Sequence, residues 1–165
     1  MNYASLESEI VARITSKVAS AADVLPLPET GDDMILPSIK ARITVAYNGS
    51  TYETSETTDV VAQPETITMQ IVVQSRKLRG AVGIYTMLSV MKSALLGWKS
   101  TTTEKIHFGK AEYVGHENSV WTYALNLTTV ALAIEEPDTE DQVISKMLTA
   151  ATTNYENITV ESQTP

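Results

Sequence analysis

The sequence predicts an α+β fold: a mainly antiparallel sheet of about four strands with helices packed on one face, in the order α-β-β-α-β-β-α. Three observations carry this expectation. Apolar residues recur at helical spacing in 3–20, in 81–96 and around Val143–Leu148. They alternate with period two through 39–47, 67–73 and 121–134. Gly, Pro and Asn clusters punctuate these runs closely enough for neighbouring strands to pair. At 165 residues the chain fits one domain, 1–165, and such a chain buries roughly 68–70% of its unfolded surface without a metal or disulfide staple.

Taken in order, Leu6, Ile10, Ile14 and Val18 form one stripe of an amphipathic helix over 3–20, widened by Val11. Glu9 and Arg13 stand four apart in the orientation that favours an ion pair. Leu25 to Pro37 holds three of the six prolines and Gly31, which predicts a loop. Ile39, Ala41, Ile43, Val45 and Tyr47 alternate as a half-buried strand, and Asn48-Gly49 predicts a turn. The stretch from Ser50 to Glu65 is nearly all polar and predicts a loop or projecting β-arm at about 48–66. Ile67, Met69, Ile71 and Val73 restore the alternation in a strand expected to pair antiparallel with the previous one.

Residues 81–96 form the most regular helix, with Ile84, Leu88, Met91 and Leu95 on one stripe, Gly97 placed to cap it and Trp98 to anchor its end. Lys92 is its one charge, which predicts cover on more than one side. Strands are expected at Lys105–Val114 and Trp121–Ile134, joined by a turn over Gly115–Ser119. In the second, the apolar phase passes from odd positions (Trp121, Tyr123, Leu125, Leu127) to even ones (Val130, Leu132, Ile134), which predicts a bulge near Thr128-Thr129. A third helix through Val143, Ile144, Met147 and Leu148 and a short edge strand through Ile158 and Val160 complete an acidic segment, 135–165.

Composition narrows the chemistry. With no cysteine, the chain has no disulfide, thiolate metal site or cysteine nucleophile. Twelve Lys and Arg against twenty Asp and Glu leave a net charge of −8, which opposes general nucleic-acid binding. No apolar run approaches a membrane span, and the opening residues lack the pattern of a secretion signal, so an intracellular protein without a membrane partner is expected. The acidic run Glu135, Glu136, Asp138, Glu140 and Asp141 lacks the spacing of a calcium loop and reads as a solvated helix entry. His107 and His116, with Glu112 and Glu117 nearby, read as surface residues rather than metal ligands. There is no nucleophile elbow and no phosphate-cradling loop. No catalytic, cofactor or metal residue is therefore expected, and the chain is not read as an enzyme.

Arg76, Lys77 and Arg79 form the one basic cluster, where a strand hands over to a helix. It is either a solvated loop or a docking patch for an acidic surface. From Val130 onward the chain has one base against seven acids, so opposite patches on one molecule favour head-to-tail self-assembly, which closes into rings when the rotation permits.

Two blocks then bring a family into view. Ala46-Tyr47-Asn48-Gly49-Ser50-Thr51-Tyr52, and the pattern Ser75-Arg76, Arg79-Gly80, Gly83, Tyr85, Leu88, Leu95, Gly97-Trp98, resemble small tail-completion proteins of Mu-like phages. The Trp121–Leu127 strand is similar to a later strand of that family, and the likeness spans roughly residues 5–132. The resemblance implies a virion tail terminator: a homo-oligomeric, hexameric ring, formed in the host cytoplasm, that caps the head-proximal end of the tail tube. Its partners would be the tube protein, the neck or connector proteins and, in a contractile tail, the sheath. DNA would pass through the lumen without specific binding. The family brings no catalytic residues and no cofactor. Arg76, Lys77 and Arg79, with Tyr47, Tyr52 and Trp98, are the candidate docking residues. Alternatives are a tube or connector subunit, or an unrelated small enzyme or binding module. The polar insertion at 50–65 and the acidic last third depart from the family pattern.

Overall fold

Asn2 opens the first helix, α1 (Tyr3–Val18), by accepting the Ser5 backbone N–H on its side-chain oxygen at 3.2 Å. The computed structural model describes residues 2–29, 39–55 and 61–135. One compact unit runs to Ala133; of the second, beginning at Ile134, only the first two residues are among those described. After α1 come β1 (Ala22–Pro26), β2 (Ala41–Tyr52), β3 (Ala62–Ser75), α2 (Ile84–Leu95), β4 (His107–Glu117) and β5 (Val120–Ile134). The fold is α+β, with a five-stranded mixed sheet in the order β1-β2-β3-β5-β4. The third helix and the Ile158–Val160 strand expected from the sequence lie outside the described residues.

The core follows from the two periodicities. Leu6, Ile10, Ile14 and Val18 of α1, and Ile84, Met87, Met91, Ala94 and Leu95 of α2, are buried against Ile43 and Val45 of β2 and Ile67, Met69, Ile71 and Val73 of β3. Each of these side chains larger than Ala94 contributes roughly 1.5–3 kcal/mol by leaving water. In β3 every odd residue from Glu65 to Ser75 is buried and every even one is half-buried, as a strand covered on one face requires. Gly97, at φ +72°, lies just past α2 in the conformation that suits glycine and donates to the Ile106 carbonyl. Tyr85 on α2 and Leu96 just past it remain exposed, so the cover of this helix within the chain is incomplete.

Four expectations are corrected. The proline-rich segment after Ala22 is not all loop: β1 pairs in parallel with residues 41–45 of β2, because an edge strand tolerates Pro26. Asn48-Gly49 is not a hairpin turn: the antiparallel β2–β3 ladder continues to Tyr52↔Glu65, with the register slipping between Tyr47 and Gly49. Gly49, at φ +122°, makes that bulge possible. Glu9 and Arg13 do not serve each other. Glu9 accepts from the Thr101 backbone N–H at 3.0 Å and from its hydroxyl, while Arg13 donates to the Ala94 carbonyl at 3.1 Å.

The last correction concerns β5. Across Thr128-Thr129 its buried phase does not change: Leu125, Leu127, Thr129 and Ala131 are all buried. The Thr129 hydroxyl donates to the Glu104 carbonyl at 2.7 Å, so a polar side chain occupies a core position with its hydrogen bond made. Val130, Leu132 and Ile134 are exposed, on the opposite side of the pleat. The bulges lie in the partner strand, between Phe108 and Ala111 and between Tyr113 and Gly115 of β4.

Candidate functional site

The basic cluster stands on a loop whose backbone is closely tied down. The Ser75 hydroxyl, buried at the end of β3, donates to the Val82 carbonyl at 2.7 Å and accepts the Lys77 N–H at 3.1 Å. The Lys77 and Leu78 carbonyls accept from Ile84 and Tyr85 in the first turn of α2, and the Gly80 carbonyl accepts from Gly83 and from the Thr86 hydroxyl. Gly83 is required by close approach: a Cβ there would stand 2.5 Å from the Arg79 carbonyl carbon. Arg76, Lys77 and Arg79 are all exposed on this loop. Arg76 also donates to the Asn118 carbonyl at 3.2 Å, which ties the loop to the β4–β5 turn. That turn is just Asn118-Ser119, both at positive φ, tighter than the expected Gly115–Ser119.

Tyr47 and Tyr52 are placed elsewhere. They lie toward the far end of the β2–β3 ladder, whose other end (Arg42↔Gln74) leads into the basic loop. Some ten residue steps at about 3.3 Å separate the ends by roughly 30 Å. There Tyr3 stacks on Tyr47 with ring centroids 4.4 Å apart. The Tyr3 and Tyr52 hydroxyls converge on Glu65 Oε1 at 2.7 and 3.2 Å. Glu65 is only 1% exposed. Burial pushes its pKa up, but hydrogen bonds from Ser50, Tyr3 and Tyr52 more than offset this and hold the carboxyl below its ordinary range. The hydrogen bonds to Tyr52 and Glu65 raise the Tyr3 phenol well above its ordinary value. This cluster locks the start of α1 onto the arm. Sequence patterning missed Tyr3 and Glu65, because their partners lie between 13 and 62 residues away.

Trp98 is half-buried against the core, with the Arg13 guanidinium 5.9 Å from its ring centroid. The structure thus distributes the six candidate docking residues over three places: the half-buried Trp98, the exposed Tyr47 and Tyr52 that both contact Tyr3, and the exposed basic triplet. Beside that group is an aromatic cluster the sequence did not single out. Tyr113 of β4 packs near Trp121 and Tyr123 of β5, with centroids 6.1 and 5.4 Å apart, and His116 lies 4.2 Å from Trp121. Desolvation and the neighbouring Tyr85 raise the pKa of Tyr123. The alternation of Trp121 and Tyr123 was legible, but their convergence with Tyr113 needed the β4 register. His107 and His116 stand at opposite ends of β4, and no metal-holding cluster occurs among the described residues.

The sequence matches the family described as Gp37 protein over residues 10–157, and the chain belongs to that family. Among solved structures it is similar to a chain of the "Virion of native gene transfer agent (GTA) particle", at 12% identity and a TM-score of 0.43. That likeness covers 79% of this chain and 91% of the other. No curated protein matches the sequence.

Proposed function

We propose that this chain is a non-catalytic structural protein of a phage-type virion, a tail terminator whose copies form a hexameric ring on the head-proximal end of the tail tube. The observation that carries the reading is the basic loop, fixed by its own backbone bonds and exposed at one end of the sheet, on a molecule of net charge −8. A fixed array of like charge on an oppositely charged molecule favours contact with another copy or with a tube ring. The same loop and helix, Ser75 to Trp98, carry most of the resemblance to tail-completion proteins of Mu-like phages. In this reading Arg76, Lys77 and Arg79 are docking residues, the ring presents a surface to the neck, and DNA passes a lumen that does not bind it.

Charge reversal tests it. Lys77→Glu with Arg79→Glu leaves the Arg76–Asn118 bond in place and should abolish capping of purified tubes in electron micrographs, while Arg76→Glu added to the pair should do no less. Unchanged caps would refute the docking role. Long tubes assembled from the protein alone would favour the tube-subunit reading over single short rings.

A further inference from the structure

We propose that successive copies meet head to tail through opposite edges of the sheet, the Leu25–Pro28 edge of one copy seating against Tyr113, Val114 and the basic loop of the next. This rests on the ring reading above and assigns the surfaces that build the ring. β1 is the first strand of the sheet and β4 the last, so one molecule offers two different edges about 19 Å apart, four strand spacings of roughly 4.8 Å. Both patches lie at the same end of the strands. β1 stands beside residues 41–45, those residues stand beside 71–75, and β3 there runs into the loop that Arg76 ties to the β4–β5 turn.

The edges are chemically complementary. On the β1 side Leu25 and Leu27 are 40% and 49% exposed and are interleaved with Pro26 and Pro28. On the β4 side Tyr113 and Val114 are 52% and 60% exposed. Leu–Pro segments are suited to aromatic surfaces, because their conformation is already restricted and their rings and branches stack on flat faces. Leu25 belongs to the pleat opposite the buried Ala22 and half-buried Val24, the side on which a shallow cleft of about 220 Å³ opens between Gln74, Val114 and Thr122. Leu27 follows directly on β1, its backbone N–H donating to the Val45 carbonyl at 2.8 Å.

Charge agrees with shape. Around β1 stand Asp23 and Glu29, with Glu7 on α1, against Lys40, which pairs with Asp23 at 3.4 Å, and Arg42, which lies opposite Asp23 in the ladder. β4 carries Lys110 against Glu112 and Glu117, with Lys110 paired to Glu112, and the loop that Arg76 ties to the β4–β5 turn adds Arg76, Lys77 and Arg79. Backbone pairing between the edges is disfavoured by the two prolines on one and the two bulges on the other, so the contact is made by side chains.

Because the chain has no cysteine, single thiols can map the contact. Leu27→Cys and Tyr113→Cys variants, whose melting should stay near wild type, are treated with a short bis-maleimide alone and mixed, both free and on purified tails. The mixture should give covalent dimers roughly tenfold above either variant alone, a ratio worth about 1.4 kcal/mol, and the double variant should give a ladder ending at the ring number. Leu25→Lys with Leu27→Lys should weaken self-association by roughly tenfold or more. Rings without the mixed cross-link, or either variant linking mainly to itself, would overturn the edge assignment while leaving the ring reading standing. A mixed cross-link without rings would support the contact and sink the ring instead. No cross-link in either setting overturns the proposal.

Discussion

Replacing Tyr3 with Phe removes one hydroxyl and leaves the ring able to stack on Tyr47, so, besides a 3.1 Å contact with the Tyr52 hydroxyl, it deletes the bond to Glu65. That bond is 2.7 Å long and its acceptor is a carboxylate 1% exposed, whereas the Tyr52 bond to the same oxygen is longer at 3.2 Å. Hydrogen bonds to charged groups contribute roughly 1.5–3 kcal/mol, and at this chain length each kcal/mol moves Tm by about 2–4 °C. Tyr3→Phe should therefore lower Tm by roughly 3–12 °C at pH 7. The sign of the pH dependence follows from the carboxyl's lowered value: its contribution is present above the unfolded carboxylate pKa of about 4.3 and is lost as pH falls through the folded one. The gap between wild type and variant should thus be full at neutral pH and narrow in acid. Calorimetry at several pH values reads both numbers. A Tm within about 1 °C of wild type at pH 7, or a gap that widens in acid, would refute the view that Tyr3 fastens α1 to the arm through an ionised Glu65.

Gly83→Ala should destabilise the chain by about 1–3 kcal/mol or more, read as a lower urea midpoint, because the new Cβ must displace the Arg79 backbone. Its φ of −79° suits any residue, so the effect is one of space alone. Leu127→Ala should cost about 2–5 kcal/mol and Leu132→Ala no more than about 0.5. Comparable losses at the two sites in urea titrations would restore the phase change that the structure denies.

Where one local signal dominated, the sequence was easy to read. The four-residue spacing of Leu6 to Val18 and the odd-numbered alternation of β3 each commit an element to one buried face, and both were plain before any contact was known. Errors arose where tertiary partners overrode local pattern. Thr129 looks like the end of a buried run until the Glu104 carbonyl is seen to satisfy it, and Val130 and Leu132 look buried until their side of the pleat is found exposed. β1 was hidden because a parallel edge strand of five residues needs little apolar content and admits Pro26. Of the candidate docking residues, the basic triplet was legible as a charge anomaly. The burial of Glu65 beneath Tyr3 and Tyr52 was not, since it joins residues 62 and 13 positions apart.

The guarded edges bear on how a ring can stop growing. Two free strands that paired by backbone would extend one sheet through the next, and the inherent twist would carry the series into an open helix unless something else fixed the angle. In the proposed contact, Pro26 and Pro28 meet an edge broken at Gly109-Lys110 and at Val114, so the ladder cannot continue across the boundary. The angle between copies is then set by where two leucines seat against Tyr113 and Val114, positions that a single point substitution can move. Changing the size of residue 25 or 27 without changing its polarity should therefore alter the number of copies in the ring before it abolishes the ring. A backbone-paired interface would show no such sensitivity, and native mass spectrometry of Leu25→Ala and Leu27→Ala separates the two.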